Sequence, residues 1–200
     1  MKRPLLVLRD RDPALALVLK RLGPPPTWKR KPGFDTLAHI ILEQQVSLAS
    51  AAATLARLRQ RCGGKRLSAK RLREMNRQDL RQCGVSHQKS RYLLQLAAEV
   101  SGRRFVIGQL SRMPDAEAIT SLTQQTGIGL WTANVYLLMA LRRDDILPVG
   151  DLALAKGMHE VDGGNYAEPE ELTRRAEQWR PYRSWATKLI WSLYLDNRRP

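Results

Sequence analysis

From Phe34 onward, apolar side chains recur at intervals of three and four residues. Phe34, Leu37, Ile40 and Ile41 form one such stripe, and Leu48, Ala51, Leu55 and Leu58 form a second. That period belongs to helices buried along one face. Glu43-Gln44-Gln45-Val46 breaks the stripe with polar groups, and Ser47 stands where an N-cap opens the second helix. The same grammar continues. Ser68 opens a short helix to Met75, Gly84 stops another, and Ser86 opens a segment with Leu93, Leu96, Ala97 and Val100 in register. Met113-Pro114-Asp115 precedes a helix through Ile119 and Leu122, and Leu130 to Leu141 forms the next. Pro169 suits the first turn of a helix reaching Trp179, and Tyr182 to Leu195 makes the last. No convincing stretch alternates with a period of two, so the expected fold class is all-α.

Charge changes this picture more than length does. Two hundred residues suit one domain or two small lobes, with ample chain for a core. The formal charge of +15 and a pI near 10.6 point to a polyanionic partner. Between Arg57 and Arg104, fourteen Lys and Arg face three acids (Glu74, Asp79, Glu99), a net of +11 in that segment. Many of these are solvated helix faces, and a fraction are candidates for phosphate contact. Cys62 and Cys83 are too few for a disulfide framework or a four-cysteine metal site. No apolar run approaches a membrane span, and Met1 to Asp12 is interrupted by charges. The expectation is a soluble, cytoplasmic monomer, associated with the nucleoid in a prokaryote, with no membrane partner.

The chemistry concentrates in residues 122–154. Gly127-Ile128-Gly129 enters an apolar helix, and glycines let backbone N–H groups approach a phosphate closely. The start of the following helix adds a favourable dipole. Asp151 follows the Pro148-Val149-Gly150 break. A bare aspartate there is a good N-cap; a lone carboxylate beyond the end of the helix that follows the hairpin is also a candidate reactive group. The two roles are compatible.

Thr126-Gly127-Ile128-Gly129-Leu130-Trp131-Thr132-Ala133 and Pro148-Val149-Gly150-Asp151-Leu152 together resemble the helix–hairpin–helix (HhH-GPD) base-excision DNA glycosylases, in their 3-methyladenine glycosylase II (AlkA-type) branch. The resemblance covers nearly all of the chain after the first thirty residues. It implies two helical lobes flanking a cleft: one from about residues 1–33 and 145–200, the other from about 34–144, with the hairpin at 119–142 and no extra β domain. It also implies a hydrolase that cleaves the N-glycosidic bond of alkylated bases of the 3-methyladenine type in double-stranded DNA, with Asp151 catalytic and no organic cofactor. The cysteines for the iron–sulfur cluster of some relatives are absent.

The resemblance bears on individual side chains as well. Superfamily members that also cut the DNA backbone carry a lysine nucleophile where this chain has Trp131, and an indole forms no Schiff base. No lyase step is therefore expected. Trp131 and Trp191 are candidates for the base pocket, since indole faces attract a cationic base; core packing is the other explanation of both. Val135 stands where the branch has a tyrosine beside that pocket, which keeps open a uracil or hypoxanthine substrate. Gly127 and Gly129 would grip DNA phosphate through main-chain N–H groups, and Thr132 would bond phosphate or cap its helix. Gln44 and Gln45 would meet DNA beside the lesion, or else cap neighbouring helix ends. The carbonyls of Thr123, Gln125 and Ile128 would hold a monovalent cation. His39, His87 and His159 have no ligand-spaced partners, and Asp144-Asp145 and Asp162-Gly163-Gly164-Asn165 read as turns. A non-catalytic DNA-holding module is the rival from another class; it has no use for a carboxylate at position 151.

Overall fold

In the computed structural model, which describes residues 2–166 and 168–198, the regular elements are helical and no strand occurs among the described residues. In chain order they are α1 (Arg3–Arg11), α2 (Pro13–Leu22), α3 (Phe34–Glu43), α4 (Leu48–Arg61), α5 (Ala69–Arg73), α6 (Arg77–Gln82) and α7 (His87–Ser101). A 3-10 turn (Ile107–Arg112), α8 (Asp115–Thr123) and α9 (Leu130–Tyr136) follow. Then come α10 (Leu152–Asp162), α11 (Pro169–Ala176), a 3-10 turn (Glu177–Trp179) and α12 (Arg183–Asp196). The chain divides into two compact units: residues 1–29 with 137–200, and residues 30–136. No helix among the described residues is long and apolar enough to cross a membrane.

In the unit of residues 30–136, α3 is the central rod, packed by α4, α7 and α9, while α7 also carries α5 and α6. Most of the stripes read from the sequence form its interior: Leu37, Ile40, Ile41, Leu58, Leu93 and Leu122 are fully buried, whereas Leu48, at the start of α4, is 59% exposed. Each such side chain contributes roughly 1.5–3 kcal/mol on leaving water. Caps set the ends. Ser47 Oγ accepts the Ser50 N–H at 3.2 Å, and Ser86 Oγ accepts the Lys89 N–H at 3.3 Å. Ser68 precedes α5 without a side-chain cap, and the helix ends at Arg73, short of Met75, where the Glu74 and Met75 N–H groups bond carbonyls three residues back. Tyr136 is buried, and its hydroxyl accepts the Gly33 N–H at 3.0 Å. Burial pushes its pKa up to about 12, which keeps it a neutral structural phenol.

In the other unit, α12 packs on α10, α2 and α1. The α10–α12 approach is close enough to require glycine: a Cβ on Gly157 would lie 2.7 Å from Ile190 Cγ2. Two helices absent from the apolar pattern, α1 and α2, fill the N-terminal segment. Asp12, 2 % exposed, links them to the C-terminal elements. Its Oδ1 accepts the Ala14 and Leu15 N–H groups and caps α2, while Oδ2 accepts Arg175 Nη1 and Trp179 Nε1, both at 2.7 Å. The expected helix over 130–141 changes pitch: after Tyr136, Leu137–Leu141 is π-helical.

Candidate active site and nucleic-acid interface

Asp151 lies in the unit that contains α10 and α12. The turn before it closes through its own N–H to the Pro148 carbonyl at 3.1 Å. Asp151 then caps α10: Oδ1 accepts the Leu154 N–H at 2.7 Å. The same oxygen accepts Trp191 Nε1 at 3.0 Å. Cap and indole bond therefore coexist on one carboxylate, which retains 8 % exposure. Trp191 is itself 7 % exposed and meets the half-buried Trp28 edge to face, with ring centroids 6.1 Å apart and an interplanar angle of 67°. A carboxylate fixed by two N–H donors beside indole rings is an oriented negative charge that need not reorganise when positive charge develops near it.

Several contacts hold α12, and so Trp191, in register. Arg183 donates from Nε and Nη2 to the two carboxylate oxygens of Asp145 (2.8 and 3.0 Å), and Ser184 Oγ accepts the Ile146 N–H at 2.9 Å. Trp185 Nε1 donates to Asp144 Oδ1 at 2.7 Å. The Asp144-Asp145 pair thus anchors the segment leading to Asp151 against the start of α12. Asp162 accepts the Gly164 N–H within its turn and also bonds Tyr166 and Arg175.

The second constellation belongs to the unit of residues 30–136. An open polar groove is lined by Gln44, Gln45, Lys89, Tyr92 and the hairpin residues 123–129. Gly127 has φ +83°, and a Cβ there would lie 2.2 Å from Tyr92 Cγ, so only glycine fits between the hairpin and α7. Gly129 is exposed with nothing near its missing Cβ. Gln44 Nε2 donates to the Gly127 carbonyl and to Thr132 Oγ1, both at 2.9 Å. Gln44 is therefore a brace between the end of α3 and the hairpin. Thr132, 1 % exposed, spends its hydroxyl on that brace, so phosphate contact by its side chain is not what the structure presents. Gln45 is exposed, with φ +56°, at the tip of the α3–α4 turn beside Val46, which is 44 % exposed.

Trp131 is half-buried on the second residue of α9, and Val135 is buried further along that helix. α8 stops at Thr123, and its Thr120 and Leu122 carbonyls accept the N–H groups of Gln124 and Gln125 in the turn that follows. The Gln125 carbonyl accepts the Ile128 N–H at 3.0 Å, and Thr123, Gln125 and Ile128 all line the groove. Oxygen donors in a tight turn are the ligand type a hard cation takes.

Sequence reasoning missed Trp28. Its signal was an aromatic residue just beyond Gly23-Pro24-Pro25-Pro26, a place where a large indole is unexpected unless it packs. It also counted Lys89 only as one of the basic residues.

A family model described as HhH-GPD superfamily base excision DNA repair protein matches residues 38–181. DNA-3-methyladenine glycosylase 1 of Schizosaccharomyces pombe is 27% identical over 173 residues, 84% of this chain and 75% of that protein. DNA-3-methyladenine glycosylase 2 of Escherichia coli is 30% identical over 198 residues, 91% of this chain and 66% of that protein. The solved structure of the Schizosaccharomyces pombe 3-methyladenine DNA glycosylase in complex with abasic DNA matches with a TM-score of 0.86 at 26% identity, covering 96% of each chain. A DNA-3-methyladenine glycosidase structure from Bacillus halodurans matches with a TM-score of 0.81 at 27% identity, covering 98% of this chain and 92% of that one.

Proposed function

We propose that this chain, which belongs to the HhH-GPD superfamily of base excision DNA repair proteins, is a monofunctional glycosylase hydrolysing the N-glycosidic bond of alkylated bases, 3-methyladenine above all, in double-stranded DNA. The observation that carries it is the Asp151 carboxylate held by the Leu154 N–H and Trp191 Nε1. A phosphate-binding module gains nothing from a fixed negative charge there. Support for the substrate class comes from relatives named for 3-methyladenine.

In this reading the C1′–N bond lengthens and its electron pair leaves with the base. A base alkylated to a cation departs neutral, so no strong general acid is required. Positive charge collects on the deoxyribose, where the Asp151 carboxylate stabilises it, the kind of preorganised electrostatics that typically dominates such barriers. A water adds to C1′ and gives its proton to the carboxylate. Trp191 fixes the carboxylate, and Trp131 and Trp191 offer faces that favour a cationic base by about 0.5–2 kcal/mol per good contact. Val135, where the branch has a tyrosine, bears on which bases are accepted.

Duplex substrates have to be opened first. Extruding a base costs a few kcal/mol, and Gln45 with Val46, exposed at the turn after α3, enters the space left behind. Gly127 and Gly129 hold phosphate through main-chain N–H groups, positioning the enzyme without reading sequence. Thr123, Gln125 and Ile128 would hold a monovalent cation through their carbonyls, supplying positive charge next to that phosphate.

Incubation with methylated duplex DNA tests the reading. Free 3-methyladenine should be released, and borohydride should trap no covalent enzyme–DNA adduct because Trp131 replaces the nucleophilic amine. Release of uracil or hypoxanthine in preference to alkylated bases would overturn the substrate class, and a trapped adduct would overturn the monofunctional chemistry.

A further inference from the structure

Lys89 is the cation among the residues that line the groove, and main-chain carbonyls hold it. Lys89 sits in the first turn of α7, its N–H fixed by the Ser86 cap. Its ammonium donates to the carbonyl of Leu42 at 2.8 Å and to the carbonyl of Gln44 at 2.6 Å. No carboxylate among the described residues pairs with it, and burial pulls its pKa below the ordinary lysine value. What compensates the charge is the C-terminus of α3, where the last carbonyls lack intrahelical partners and carry partial negative charge.

The second of these bonds fixes the orientation of the peptide between Gln44 and Gln45. Gln45 follows with φ +56°, a left-handed conformation that non-glycine residues seldom adopt without local support. The turn is anchored twice. Lys89 holds its main chain, and the Gln44 side chain ties it to the Gly127 carbonyl and Thr132. Neither anchor uses the side chains of Gln45 or Val46, which stay exposed.

We propose that Lys89 is a positioning residue for base extrusion: its ammonium holds the Gln44–Gln45 peptide so that the turn is already shaped to enter the duplex when DNA docks. This rests on the reading that the turn after α3 enters the duplex, but not on the chemistry at Asp151. It also separates Lys89 from neighbours such as Arg91, since its charge serves the turn rather than a phosphate.

Two measurements test it on the full chain, using Lys89→Met and Lys89→Arg. The first is fluorescence of a duplex carrying 2-aminopurine opposite a tetrahydrofuran abasic analogue, at saturating protein. Wild type should raise the signal by unstacking the reporter, Lys89→Met should bind with little rise, and Lys89→Arg should restore most of it. The second is hydrogen exchange without DNA. Peptides spanning 43–47 should exchange about tenfold faster in Lys89→Met, as expected for losing charge-assisted bonds, with α12 peptides unchanged. An equal fluorescence rise in Lys89→Met, unaltered exchange over 43–47, or no rise with wild type would each overturn the proposal. Failure of base release with these two results intact would instead sink the glycosylase reading alone.

Discussion

Replacing Asp12 by Asn separates a helix cap from a buried charge network. Asn and Asp cap helices about equally well, so a residue that merely capped α2 would tolerate the change. The structure predicts otherwise. Oδ2 receives Nη1 of Arg175 and Nε1 of Trp179, both at 2.7 Å. An Asn amide has one oxygen for two sets of donors, so one set must face an NH2 group. Breaking a buried ion pair costs about 3–5 kcal/mol. The lower end applies here, because Arg175 keeps its 3.0 Å bond to Asp162 and its side chain is 19% exposed. About 3 kcal/mol corresponds to a fall in Tm of roughly 6–12 °C for a chain of this size, measured by circular dichroism at 222 nm. The pH dependence has a definite sign. Burial raises the Asp12 pKa, but bonds from Arg175 and Trp179 and the Arg175 charge outweigh it, leaving the carboxyl below its ordinary value. A depressed folded-state pKa adds stability above the unfolded value, about 3.9, and loses it as pH falls through the folded value. The gap between wild type and Asp12→Asn should therefore hold from pH 8 to 5 and close below pH 4. A variant melting within 2 °C of wild type at pH 7 would refute the network.

Three further outcomes follow from the two constellations. Gly127→Ala meets both a positive φ and Tyr92, so it should lose about 2–4 kcal/mol of stability and at least tenfold in DNA affinity by fluorescence anisotropy. Gly129→Ala meets open space and should shift stability by less than about 0.5 kcal/mol, yet still weaken DNA binding if the proposed main-chain grip on phosphate holds, because the added Cβ would stand in its way. Trp191→Phe keeps a ring but removes the 3.0 Å bond to Asp151; single-turnover base release should slow about tenfold, in line with one lost charge-assisted bond, and a rate within twofold of wild type would show that the bond is idle.

Local signals were readable along the chain, and long-range ones were not. Ser47, Ser86 and Pro169 mark helix starts through chemistry confined to a few neighbouring residues, and each occupies the position expected of it. The α3 stripe is likewise local, since period alone identifies its buried face. Asp12 looked like part of a charged, interrupted start because its partners, Arg175 and Trp179, lie at the far end of the chain. Trp28 escaped notice for the same reason: only folding brings it to Trp191. The bonds of Lys89 and Thr132 could not be read from residue type. A lysine in a basic segment and a threonine at a hairpin both suggest phosphate, whereas here each is bonded to the protein's own turn. The all-α class and the hairpin needed only the sequence; how the turn after α3 is braced needed coordinates.

The most direct test of the account is Asp151→Asn, assayed on one methylated duplex for both binding and release. Asn retains an oxygen for the Leu154 N–H, so DNA affinity should stay within about threefold of wild type while 3-methyladenine release falls by three orders of magnitude, a loss typical of removing a principal electrostatic group. Release persisting near the wild-type rate in a variant that binds normally would contradict the account.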